Sequence, residues 1–318
     1  FHQAEKVIRA GATLLGTGDM GIGNTTPSAA IGAVLTGRDL DTMVGRVLAH
    51  IQAPMGGSRP TLGLLEAALG PISREQGWVS GHLLSGQAAA LGVLQFLNTQ
   101  APLPEQMVKI PLGLALLLRG KGLKWPGCRD MVREESLRLP PSAVAAAARQ
   151  ADALGRADQS LLVIRSACKP EALAVATEIA TQLRREALLV RASSDELKGL
   201  GAACQIGGRL PVFEIELGAE GEASVPDLPG YRGPRLVLTG PDGHVTTSRG
   251  LCQQWSLTPP SRLERQQLWH AYLDQESLAR QLAREHIHSS GRIAELALLA
   301  RREARLQQRE RPDISDIR

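Results

Sequence analysis

The stretch Ser160 to Arg191, SLLVIRSACKPEALAVATEIATQLRREALLVR, constrains the fold more than any other part of the chain. Leu161 to Ile164 is a short apolar run with strand character. Arg165 to Lys169 is a polar loop, Pro170 opens a helical pattern, and Ala187 to Val190 is a second apolar run. A strand, loop, helix and strand in this order form the unit from which doubly wound sheets are built.

The loop of such a unit is where a phosphate-binding motif of pattern GxxxxGK(S/T) belongs. Its glycines let backbone N–H groups surround phosphates, its lysine neutralises them and its hydroxyl binds magnesium. Laid onto RSACKPEA, the glycines fall on Arg165 and Pro170, the lysine on Glu171 and the hydroxyl on Ala172. Proline removes a donor, and Glu171 brings negative charge towards an anion. Arg165, Ser166 and Lys169 are spaced to hold a loose anion at the helix N-terminus. The alternative is a solvated turn with Pro170 at the first helical position, which proline suits, and this reading leads.

Near the start, GTGDMGIGNTTPSAA (Gly16 to Ala30) runs into an apolar helical stretch. Glycines permit close approach of the backbone to a ligand, and Thr25 or Thr26 suits a helix cap. By pattern alone this is a phosphate cradle or a capped glycine-rich turn. From Gly11 to Arg46, including LTGRDLDTMVGR, the segment resembles the nicotinate-nucleotide–dimethylbenzimidazole phosphoribosyltransferases of cobalamin biosynthesis. That resemblance implies that Gly21, Gly23, Asn24 and Thr25 face the phosphate of nicotinate mononucleotide. Asp19 stands where the family usually has glutamate. Past Arg46 the likeness is expected to stop, because VGRVLAHI replaces a glycine-rich turn. The segment carrying the family's catalytic glutamate has no counterpart, and GAEGEAS (Gly218 to Ser224) is only an echo of it. The Gly16 to Ala30 loop is therefore expected to pack poorly against the rest.

Residues 47–142 read as helical throughout, with breaks at Pro54 to Gly57 and Gly120 to Gly127, and without catalytic geometry. Pro140 and Pro141 read as a linker. The apolar fraction of 43% supports ordinary cores. The net charge of +4 is spread among interspersed acids and bases, and aromatics make up 3%, which argues against a nucleic-acid surface. Cys128, Cys168, Cys204 and Cys252 are too scattered for a zinc site or disulfide frame. No apolar run is long enough to span a bilayer, and no leader pattern is present, so a cytoplasmic location is expected. The chain begins at Phe1, as a fragment or processed product would.

Beyond the central unit, Leu210 to Leu217 and Arg235 to Thr239 read as strands, and Ser193 or Ser194 as a helix cap. Leu263 to Leu273, Glu276 to His286 and Arg292 to Arg309 read as a three-helix bundle. The pattern PPSRLERQQLWHAYL…LARQLA…GRIAELALLARREA resembles the helical lid of AAA+ ATPases, and the elements before it resemble their αβα core. The resemblance implies an α/β fold with a helical N-terminal region, a P-loop-NTPase-like αβα core around a parallel sheet, and a C-terminal helical lid. It divides the chain into a transferase-like fragment (1–46), a helical domain (47–142), a core (143–258) and a lid (259–318).

By this resemblance Glu214 or Glu216 stands near the magnesium acid, Thr239 at the γ-phosphate sensor and Arg292 at a lid arginine. The plain readings are outward-facing strand acids, a turn and a helix-start arginine. The expected function is an AAA+-like module with a degenerate nucleotide site, serving assembly or docking. ATP and magnesium bind weakly at most, and hydrolysis by this module is not expected. Its partners are proteins or copies of itself in an AAA+-type oligomer, with neither nucleic acid nor membrane. The alternative is a phosphoribosyltransferase fragment, or a fusion of the two. No catalytic residue and no metal ligand is identified.

Overall fold

A computed structural model of the chain describes residues 59–69, 78–131, 137–191, 194–248 and 250–317. It divides into two compact units, Phe1–Pro111 and Leu112–Arg318.

In the first unit, α1 (Leu62–Leu69), α2 (Trp78–Ser85) and α3 (Gln87–Ala90) precede an antiparallel pair, β1 (Gln95–Leu97) and β2 (Met107–Lys109). The Thr61 hydroxyl accepts the Leu64 N–H at 3.2 Å and so caps α1. The Leu62 N–H donates to the Gln106 carbonyl at 2.8 Å, fixing α1 to the strand pair. The Glu66 carboxylate accepts the Ser80 N–H at 2.8 Å in the first turn of α2. The expectation of helix throughout 47–142 is thus corrected. QFL and MVK are too short to show an alternating pattern, and it is their pairing that makes them strands.

The second unit runs α4 (Leu112–Leu118), β3 (Cys128–Asp130), α5 (Pro141–Gly155), β4 (Leu161–Arg165), α6 (Lys169–Gln182), β5 (Glu186–Val190) and α7 (Leu200–Ile206). It continues with β6 (Arg209–Glu214), β7 (Glu222–Val225), β8 (Arg235–Thr239), β9 (His244–Thr247) and β10 (Cys252–Ser256). Three helices close it: α8 (Arg262–Leu273), α9 (Glu276–Glu285) and α10 (Ser290–Leu306). The main sheet has the order β10-β4-β8-β6-β5-β3, parallel except for β3, and β7 pairs with β9 separately.

Leu162, Ile164, Leu189, Val212, Leu236 and Leu238 share one cluster with Ala147, Ala151 and Leu154 of α5 and Val175, Ala176 and Ile179 of α6. These strand positions are two apart, as one face of a pleated sheet requires. Helix α7 packs on β6 with α4 against it, completing the helix–sheet–helix layering. Arg209 bridges Asp130 at 2.8 Å and Glu186 at 2.7 Å, holding the antiparallel edge strand in place. The three C-terminal helices have their own core around Trp269, Leu282, Ile293 and Ala300.

The expected α/β class, parallel sheet and C-terminal helical bundle are all present. Counted along the chain, the five parallel strands lie in the order five-one-four-three-two. The first of them, β4, sits between the fourth and the fifth, so the connection leaving β4 runs towards one edge and the one leaving its neighbour β8 runs towards the other. Such a reversal opens a crevice beyond the carboxyl ends of the strands, where open α/β sheets take their ligands.

Close backbone packing yields a stability test. A methyl group on Gly201 would come within 2.2 Å of the Pro229 carbonyl oxygen, whereas one on Gly155 meets only Leu183 at 3.7 Å. Gly201→Ala is expected to cost about 1–3 kcal/mol. Gly155→Ala, in the last turn of α5, should be neutral or add about 0.5–1 kcal/mol. Urea denaturation of the two variants beside the parent measures both.

Candidate functional site

The carboxyl ends of β4, β6 and β8 bring Arg165, Glu214 and Thr239 to one rim of the sheet, with Arg165 in register with Thr239. The Ser166 N–H donates to the Thr239 carbonyl at 3.1 Å, so the loop leaves β4 along the end of β8. The Ser166 hydroxyl accepts the Cys168 N–H at 3.0 Å and lies 3.3 Å from Glu171 Oε2.

Arg165 is buried, and protein oxygens occupy its guanidinium. Nε donates to Gln254 Oε1 at 2.9 Å, Nη1 to the Asp242 carbonyl at 3.0 Å and Nη2 to the Gly243 carbonyl at 2.8 Å. It ties β4 to β10 and to the turn after β8. Lys169 is ion-paired with Glu214 and lies 3.9 Å from the exposed Glu216. Arg191, just after β5, donates through Nε to Glu214 Oε2 at 2.5 Å. Burial pushes the Glu214 carboxyl up. Hydrogen bonds and charge from Lys169 and Arg191 outweigh this and hold it below the usual carboxylate range. The Thr239 hydroxyl oxygen is buried and has no hydrogen-bond partner among the described residues. Arg292 is exposed and pairs at 2.8 Å with Glu295 of its own helix.

Glu171, at the lysine position of the loop pattern, is 5% exposed. Its Oε1 accepts the Ser290 N–H at 3.0 Å and the Ser290 hydroxyl at 2.5 Å. Both donors belong to the first residue of α10, whose N-cap Ser289 accepts the Arg292 N–H at 3.3 Å. The start of α10 therefore lies directly on the loop. A methyl group on Gly291 would sit 2.2 Å from Cys168 Sγ and 3.1 Å from Glu171 Cβ, so this approach requires glycine.

The rim thus joins Lys169 to Glu214 and Glu216, and Ser166 to Thr239 and Glu171, while Arg165 and Arg292 face other partners. Sequence reasoning missed Ser290, Gly291 and Arg191, and took Glu171 only as a repelling charge. The small residues Ser289, Ser290 and Gly291 ahead of an amphipathic helix are the signal that an approach this close leaves behind.

Other chemistry has little footing here. Burial pushes the Cys128 and Cys204 thiols up to about 12, far from a reactive thiolate. Among the described residues no group of three or more His, Cys, Asp or Glu is placed to hold a metal ion, and no helix is long and apolar enough to cross a membrane. A cleft of about 290 Å³ between β3 and α6 is lined by Arg129, Asp130, Met131 and Leu173 among others. Its acid, Asp130, is already paired with Arg209.

Residues 1–53 match the family model described as Phosphoribosyltransferase. The nicotinate-nucleotide–dimethylbenzimidazole phosphoribosyltransferase of Dehalococcoides mccartyi is 62% identical over 39 residues, 12% of this chain and 11% of the relative. The enzyme of that name from Thermus thermophilus is 32% identical over 131 residues, 40% of this chain and 37% of the relative. The chain thus spans 11% of the length of the first relatives it matches. Among solved structures, the Thermotoga maritima RuvB Holliday junction branch migration motor is 11% identical with a TM-score of 0.35, over 55% of this chain and 65% of that one. The transferase likeness runs further than the Gly11 to Arg46 segment expected: past it at both ends in the family model, and over 131 residues in the Thermus relative. Gly21, Gly23, Asn24 and Thr25 fall within the matched segment, and with the Gly16 to Ala30 loop they lie outside the described residues.

The paired Glu214 gives a pH signature. A carboxyl held below its ordinary value of about 4.5 contributes stability that is present above that value and lost as pH falls through the lower, folded one. Glu214→Gln should therefore be less stable than the parent at neutral pH by about 0.5–1 kcal/mol, the half-exposed cations being screened by solvent. The difference should shrink below about pH 4.5. Urea midpoints of both proteins across that range measure it.

Proposed function

We propose that the second unit is an AAA+-like module whose nucleotide site has been filled by the protein's own side chains, and that it serves assembly or docking to protein partners. In this reading 143–258 is the core and 259–318 the lid, oligomers of AAA+ type are the natural assembly, and the protein is cytoplasmic. The strand order and the place of the loop at the reversal point support the architecture. The buried Glu171 carboxylate carries the reading, because it lies at the lysine position and is held by the lid helix.

A magnesium triphosphate does not fit these residues. Ala172 offers no hydroxyl to the metal, and Pro170 offers no N–H to a phosphate. Glu214 is held by two cations, and Gly291 packs closely against Cys168 of the loop. Glu171 itself repels phosphate at close range.

The family match over residues 1–53 favours a second reading, in which that segment binds the phosphate of nicotinate mononucleotide through Gly21, Gly23, Asn24 and Thr25. The chain is then a transferase segment fused to the ATPase-like module.

Calorimetric titration with magnesium ATP, nicotinate mononucleotide and dimethylbenzimidazole separates the two. ATP is expected to bind no more tightly than about 1 mM, with no turnover. Saturable ATP binding with turnover that Lys169→Ala abolishes overturns the first reading. Nicotinate mononucleotide binding that is lost in Asn24→Ala establishes the second.

A further inference from the structure

Two carboxylates cross between the sheet layer and the C-terminal bundle in opposite directions. Glu171 is the third residue of the sheet-layer helix α6 and accepts the N–H of Ser290, the first residue of the bundle helix α10. Glu264 is the third residue of the bundle helix α8, and its Oε1 accepts the N–H of Ser142, the second residue of the sheet-layer helix α5, at 2.8 Å. The second oxygen of each carboxylate is held on its own side of the boundary. Glu264 Oε2 closes a capping box with Ser261, at 3.0 Å from the Ser261 N–H, and Glu171 Oε2 lies 3.3 Å from the Ser166 hydroxyl.

From this reciprocity we infer that the bundle is latched to the sheet core as one rigid body, in a pose that does not depend on any bound ligand. The first N–H groups of a helix have no partner within it and carry the positive end of its dipole, so a carboxylate there makes a strong, charge-assisted bond. Helix α5 begins after Pro140 and has no side-chain cap of its own, so Glu264 supplies one. Swinging the bundle away uncaps α5, leaves the Ser290 N–H at the start of α10 without its carboxylate and leaves the buried Glu171 without Ser290. The Tyr272 hydroxyl, accepting the Arg138 N–H at 2.7 Å, pins the same boundary a third time. Hinge motion in which a lid follows its ligand is thereby blocked. The inference rests on these contacts and not on the reading of the nucleotide site.

Hydrogen–deuterium exchange of the full chain, followed by mass spectrometry with and without magnesium ATP, tests it. Amides of α8 and α10 should be protected as strongly as those of β4 and β8, with no change on adding nucleotide. Glu264→Ala should speed exchange in α8 and at the start of α5 about tenfold while β4 and β8 stay as in the parent. Glu171→Gln, which keeps an acceptor, should loosen α10 less than Glu171→Ala. A parent bundle that exchanges a hundredfold faster than the sheet overturns the latch, as do an unchanged rate in Glu264→Ala and bundle protection that rises with ATP. Should Glu171→Ala fail to fold, the Glu264 variant decides alone. Nucleotide that binds more tightly than about 1 mM and is turned over without altering bundle protection leaves the latch standing and removes the proposed function instead.

Discussion

A carboxylate withdrawn from water must be hydrogen-bonded, because an unpartnered buried charge costs several kcal/mol. Glu171 is such a group, and much of the second unit is arranged to meet its demand. Its donors come from Ser290 and Ser166. Bringing Ser290 within reach places the whole of α10, and α10 shares the Trp269 core with α8 and α9. Glycine at 291 is what permits the distance. One side chain in the first turn of α6 thus helps to fix where three helices stand.

The rest of the rim follows the same economy, each charge meeting a partner within the chain. Arg165 holds the 240–243 turn and β10. Lys169 and Arg191 converge on Glu214. Thr239 keeps a buried hydroxyl oxygen with no described partner, a remnant of polarity in a rim otherwise satisfied. A site that binds an external anion keeps its cations unpaired, whereas Arg165, Lys169 and Arg191 are each paired within the chain.

The strand–helix–strand unit was legible because β4 and β5 are buried on both faces and read as unbroken apolar runs, with Pro170 marking the helix start between them. The bundle was legible from its apolar stripes, and its first helix carries a readable S-x-x-E box at Ser261 and Glu264. Strand β10 was not foreseen. CQQWS is polar, lies at a sheet edge and is mostly exposed, so nothing in it alternates towards a core. Strand β3 escaped for a related reason, since its three residues are held by pairing with β5 and by Arg209. In the candidate site, the acid at 171 was plain in the sequence, but its role was not. The partner of Glu171 lies 119 residues further along, a separation at which residue order carries no geometric information.

The way Glu171 is held bears on the changes this loop tolerates. A lysine at position 171 would set an ammonium against the positive start of α10 and orphan the Ser290 N–H. A glycine at position 165 would free the turn that Arg165 fastens. Each change costs stability on its own, so the two residues guard one another. A phosphate-gripping loop cannot be installed here by any gentle single step.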